Sequence, residues 1–198
     1  MSSQYIGIAS AVLNLISAVP YVYAIFKGKA RPNRVTWVIW TFLAWTLLFA
    51  SLESGAFATT FWMASSALIC TTITMLSFWR GTYEKDYIDI GCFILGMIGV
   101  VLWKLTSNAS VSVYIGSFVD IIAILPTVRK AWKNPASEPL IAWSLGFIAA
   151  LLNVLAIDAM RLVIIVQPVV VVIWHMMILV PLYFKNNSLL KTKTSLQK

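Results

Sequence analysis

The chain divides into seven mostly apolar runs, near residues 5–26, 34–52, 56–79, 87–103, 109–131, 139–157 and 162–184. The breaks between them are short: "KGKARPNR", "ESG", "RGTYEKD", "KLTSN", "RKAWKNPASEP" and "DAMR". About 20 consecutive apolar residues let a helix cross the hydrocarbon core, and a helix satisfies its own backbone polar groups there. Seven such runs with no intervening soluble segment predict an all-α integral membrane protein of seven transmembrane helices. The chain is 60% hydrophobic and 11% charged, with a mean hydropathy of +0.86, far from the usage of a soluble domain. No basic residue precedes the first run, which argues against a cleaved signal peptide.

The formal net charge of +8 is distributed asymmetrically. With the N-terminus outside, 13 of the 15 Lys and Arg residues fall on the cytoplasmic side, and only Lys104 and Arg161 lie outside. Cytoplasmic loops hold the basic excess of membrane proteins, so the expectation is an outside N-terminus and a cytoplasmic C-terminus, in a bacterial inner membrane. The basic residues are then topology signals and not a nucleic-acid surface. Cys70 and Cys92 both lie inside apolar runs, so neither a disulfide framework nor a metal site is expected.

An offset of 106 residues lays "NLISAVPYVYAIFKGKARPNRVTW" on "DIIAILPTVRKAWKNPASEPLIAW" without a gap. Pro20 meets Pro126, Lys27 meets Lys133, and Trp37 meets Trp143. Residues 1–83 therefore read as one three-helix repeat, 84–106 as a linker helix, 107–185 as a second three-helix repeat, and 186–198 as a basic tail. An odd linker returns the second triple to the orientation of the first, so the two bundles are expected to be parallel, related by an axis along the membrane normal. Gly91, Gly96 and Gly99 in the fourth run suit close packing of that linker.

With Pro20, Pro126 and the basic loops that follow them, this 3+1+3 plan resembles the PQ-loop and SWEET-type superfamily of small transporters. The departures are specific. Pro20-Tyr21 and Pro126-Thr127 stand where the family's namesake has Pro-Gln, and the third and seventh runs lack the asparagines that SWEET sugar transporters use. The resemblance implies a small transporter; Pro20 and Pro126, which cannot donate an amide proton, are expected to act as hinges for alternating access, and no catalytic residue or cofactor is expected.

Helical projection places Ser10, Asn14, Ser17 and Tyr21 on one stripe of the first run, matched by Gly116, Asp120, Ala123 and Thr127 in the fifth. Polar faces are unfavourable against lipid and turn inward. Asp120 is the one acid in mid-span; Glu53, Glu84, Asp86, Asp89, Glu138 and Asp158 sit at run ends or in breaks. A carboxylate at a helix centre costs about 2.5–3.5 kcal/mol on insertion scales, which marks Asp120 as a coupling group or counter-ion, with the Asn14 amide as its partner across the axis. Trp40 and Asn153 in the second and sixth runs, Trp62 and Ser66 in the third, and Gln167 and Trp174 in the seventh complete the expected substrate site, with Ser65 as a further candidate and His175 as a candidate proton-relay partner. Trp37, Trp79, Trp103 and Trp132 read as interfacial anchors.

The function expected is transport of a small polar metabolite, coupled to protons through Asp120; the alternative is a seven-helix receptor or sorting protein without net flux. The expected partners are a small-molecule substrate and the lipid bilayer, with no nucleic acid; a homo-oligomer is compatible with both readings. An enzyme is not expected, since there is one histidine and no HExxH or paired intramembrane aspartate motif.

Overall fold

A computed structural model describes residues 2–54, 57–82, 87–106, 109–157 and 160–195. Among these residues the chain forms seven α-helices: α1 (Ser2–Phe26), α2 (Arg34–Ser54), α3 (Phe57–Arg80), α4 (Tyr87–Leu105), α5 (Ala109–Lys133), α6 (Leu140–Leu155) and α7 (Leu162–Ser195). A short 3-10 turn, Pro135–Ser137, joins α5 to α6. Each helix coincides with one apolar run. The last differs most, because α7 continues to Ser195 through a stretch with no Gly or Pro to stop it, taking in most of the segment read as a tail. Glu84, Asp86, Asp158 and Lys198 lie outside the described residues.

The stretches Ser3–Phe26, Thr60–Arg80 and Ile164–Phe184 are each long and apolar enough to cross a membrane. Burial follows the pattern of a membrane helix bundle. Val12, Ile16 and Val19 of α1, Phe42 and Phe49 of α2, and Phe93, Ile94 and Leu95 of α4 face outward, whereas Ser10, Asn14, Ser65, Asp120, Asn153, Gln167 and His175 are buried. Water would select the opposite arrangement; an apolar surround makes it stable.

Within the first three helices α3 packs on both α1 and α2, and among the last three α7 packs on both α5 and α6. Between the triples, α1 packs on α6 and α2 on α5. Exchanging α1 with α5, α2 with α6 and α3 with α7 returns the same set of contacts. Individual contacts follow the 106-residue offset. The Ser10 hydroxyl donates to the Ala149 carbonyl at 2.8 Å, and at the shifted positions Gly116 lies against Leu43. Helix α4 stands outside this exchange, packing on α5 and α2.

Side chains at the ends tie these helices together. Asn33 caps α2 by accepting the Thr36 amide on its side-chain oxygen at 3.2 Å, while its Nδ2 donates to Asp89 of α4 at 2.9 Å. Asp89, assigned from sequence to a run end, is therefore a buried group. Gly28, at φ +68°, reverses the chain after α1. The Arg31 amide then donates to the Ser137 carbonyl at 3.1 Å, and Thr82 pairs with Pro32 and Arg34 through backbone bonds of 2.9 and 3.0 Å. Pro20 and Pro126 lie inside continuous helices, each removing one amide donor from the ladder.

Candidate functional site

Between the two triples lies a cavity of about 100 Å³. Its walls come from α1 (Asn14, Ser17, Tyr21), α2 (Trp37, Trp40, Leu47), α3 (Trp62, Ser66, Cys70), α5 (Asp120), α6 (Trp143, Gly146) and α7 (Gln167, Trp174, His175), together with smaller apolar residues. Among the sequence-derived candidates, Asp120, Asn14, Trp40, Trp62, Ser66, Gln167 and Trp174 all reach it, and so does His175. Asn153 does not line it. That residue is 1% exposed, and both its amide oxygen and its amide nitrogen are buried without a hydrogen-bond partner.

The polar groups are held in place by bonds within and between triples. Asn14 donates through Nδ2 to Ser65 at 3.0 Å and to Ser66 at 3.2 Å, joining α1 to α3. At the shifted position Asp120 accepts from Gln167 Nε2 at 2.8 Å, and Gln167 Oε1 accepts from Ser117 at 2.6 Å. The Asp120 carboxyl is thus held by Gln167 of α7 and the indoles of Trp174 and Trp40, and not, as the stripe suggested, by Asn14. Asn14 and Asp120 each bond to the third helix of their own triple, whereas Ser10, Tyr21 and Thr127 of the same stripes bond across the triples. Across the triples, Trp40 Nε1 donates to the Asp120 backbone carbonyl at 3.5 Å.

One wall is aromatic. Trp40 and Trp174 have ring centroids 4.5 Å apart, and Trp37 meets Trp40 edge to face at 5.3 Å. Trp143 lies within 6.4 Å of Tyr21, Trp37, Trp40 and Trp174. Trp37, expected at the membrane interface, is therefore 5% exposed in the centre of this cluster, because its turn of α2 faces α1 and α6. Trp79 and Trp132 remain exposed. The Trp174 ring stacks on His175 at 3.8 Å. His175 Nδ1 lies 2.8 Å from the Val171 carbonyl; a carbonyl only accepts, so Nδ1 carries a proton. Gly146 makes room for the other ring nitrogen, since a Cβ there would lie 2.7 Å from Nε2.

Towards the 27–33 and 133–139 segments lies a second acid that sequence reasoning left in a loop, bonded to two residues of the cavity wall. Glu138 is 4% exposed. Its Oε2 accepts from the Tyr21 hydroxyl at 2.8 Å and from Trp143 Nε1 at 2.9 Å, and its Oε1 pairs with Lys130. Lys130 also donates to the Arg31 carbonyl. Beside it, Thr127 donates to Thr36 at 2.9 Å. A pointer to this cluster existed in the sequence: Trp37 and Trp143 are repeat partners, and residues related by a pseudo-axis converge when they face it. The chain matches no family model, no curated protein and no solved structure.

Proposed function

We propose that this chain is a seven-span membrane transporter of the PQ-loop and SWEET type, carrying a small polar solute by alternating access. The single observation that carries the reading is the cavity at the interface between two helix triples, lined by a mid-helix carboxylate, amides and tryptophans. A midplane site between repeats is where such a cycle needs its solute to sit. The exchange symmetry of the helix contacts supports two three-helix repeats joined by α4, and the excess of Lys and Arg in the loops on one side favours parallel repeats with the N-terminus outside.

Tyr21 and the Arg31 carbonyl belong to the first triple, Glu138 and Lys130 to the second. Their bonds hold the triples together on the side of the basic loops. Rocking about Pro20 and Pro126 would break these bonds and open that side, while the opposite side closes. Asp120 is the coupling group: its carboxyl exchanges a proton as solvent access alternates. Tyr21, Cys70 and His175 are the other titratable groups on the cavity wall.

The test is flux in proteoliposomes. Purified protein should accumulate a labelled polar solute in a manner that responds to an imposed pH gradient. Asp120→Asn should abolish that response while the protein stays folded. Saturable binding with no flux for any solute in the panel would indicate a receptor or sorting protein instead.

A further inference from the structure

We infer that the central cavity takes a small organic ammonium compound, its cationic head against the indole faces and opposite Asp120. This rests on the reading of the cavity as a solute site and names its substrate class.

Charge leads to it first. Among the described residues Asp120 is the one acid lining the cavity, and no Lys or Arg lines it. Lys130, on the same helix as Asp120, is taken up by Glu138 and the Arg31 carbonyl. The groups that bond the Asp120 carboxyl are neutral: the Gln167 amide, whose direction Ser117 fixes, and the indoles of Trp174 and Trp40. An ionised carboxylate in an apolar interior is costly without a counter-charge, so a cation entering the cavity supplies what the protein omits.

The aromatic wall has the same preference. Trp37, Trp40, Trp143, Trp174 and Tyr21 form one connected cluster, and the negative π faces of such rings attract cations, most strongly where water is excluded. His175 adds to it: with Nδ1 donating to Val171, the neutral ring presents Nε2 as an acceptor. The indole N–H groups of Trp40 and Trp174 are directed at Asp120 and that of Trp37 at Tyr21. A cavity of about 100 Å³ limits the solute to small molecules.

The test compares charge at constant shape. The full chain in lipid nanodiscs is titrated with choline, ethanolamine, glucose and 3,3-dimethyl-1-butanol, the uncharged carbon isostere of choline, following tryptophan fluorescence and thermal shift. Choline or ethanolamine should bind at least ~10-fold more tightly than the isostere, and Asp120→Asn should remove that preference without weakening the isostere. Equal binding of choline and isostere by the wild type, or no binding of either ammonium compound to folded protein, overturns the inference without needing the variant. Counterflow of labelled choline separates the two proposals. Binding without exchange keeps the substrate class and sinks the transporter reading, and exchange of glucose without choline binding does the reverse.

Discussion

Removing one oxygen atom should open the basic-loop side of the cavity. In Tyr21→Phe the ring stays among Trp37 and Trp143, with centroids at 5.3 and 5.8 Å, but the 2.8 Å bond to Glu138 is lost. That bond joins the two triples, so its loss weakens the closed arrangement and leaves the open one, where both groups are hydrated, unchanged. A hydrogen bond to a charged group contributes about 1.5–3 kcal/mol. At ~1.4 kcal/mol per decade, the open-to-closed ratio should rise roughly 10- to 150-fold. Cys70 reports it, being a buried thiol on the cavity wall. In a Cys92→Ser background, a membrane-impermeant methanethiosulfonate applied to the side of Lys27 and Lys133 should modify Cys70 faster in the variant by that factor. The rate scales with the open population as long as closing outpaces reaction. An unchanged rate in a variant that melts like the parent would refute the argument that the Tyr21–Glu138 bond holds this side shut.

Three further outcomes are expected. Gly146→Ala places a methyl 2.7 Å from His175 Nε2, so it should displace the Trp174–His175 stack, lower the melting temperature by an amount equivalent to about 1–3 kcal/mol, and weaken solute binding; a crystal or cryo-EM structure with the stack in place would contradict it. Asn153→Leu removes two unpartnered buried polar atoms and installs the residue found at the repeat-related position, Leu47; a gain of about 1–3 kcal/mol in unfolding experiments is expected, and a loss would mean that the amide has a partner in another state. Single cysteines at Lys104 and Lys193 should react from opposite sides of the membrane, the first from outside, and reaction of both from one side would contradict the topology.

Much of this protein is local and therefore readable along the chain. Helices form because each apolar run must close its own backbone hydrogen bonds, and the run boundaries near Phe26, Arg34, Arg80 and Lys133 follow from the charged and proline-bearing breaks. The stripe through Ser10, Asn14, Ser17 and Tyr21 and the stripe through Gly116, Asp120, Ala123 and Thr127 were legible too, since helical period alone decides which side chains share a face, and both faces are buried. What period leaves open is which helix each face meets. Tertiary packing gave Asp120 to Gln167 and Asn14 to Ser65 and Ser66, because α7 and α3 are the near neighbours within each triple. It drew Trp37 from an expected membrane interface into the aromatic cluster, and left Asn153 on a buried face that the cavity does not reach. Glu138 depended on it most. Its five-residue distance from Trp143 is local, but Tyr21 lies 117 residues away, and a bond of that span exists only once α1 and α6 have packed together.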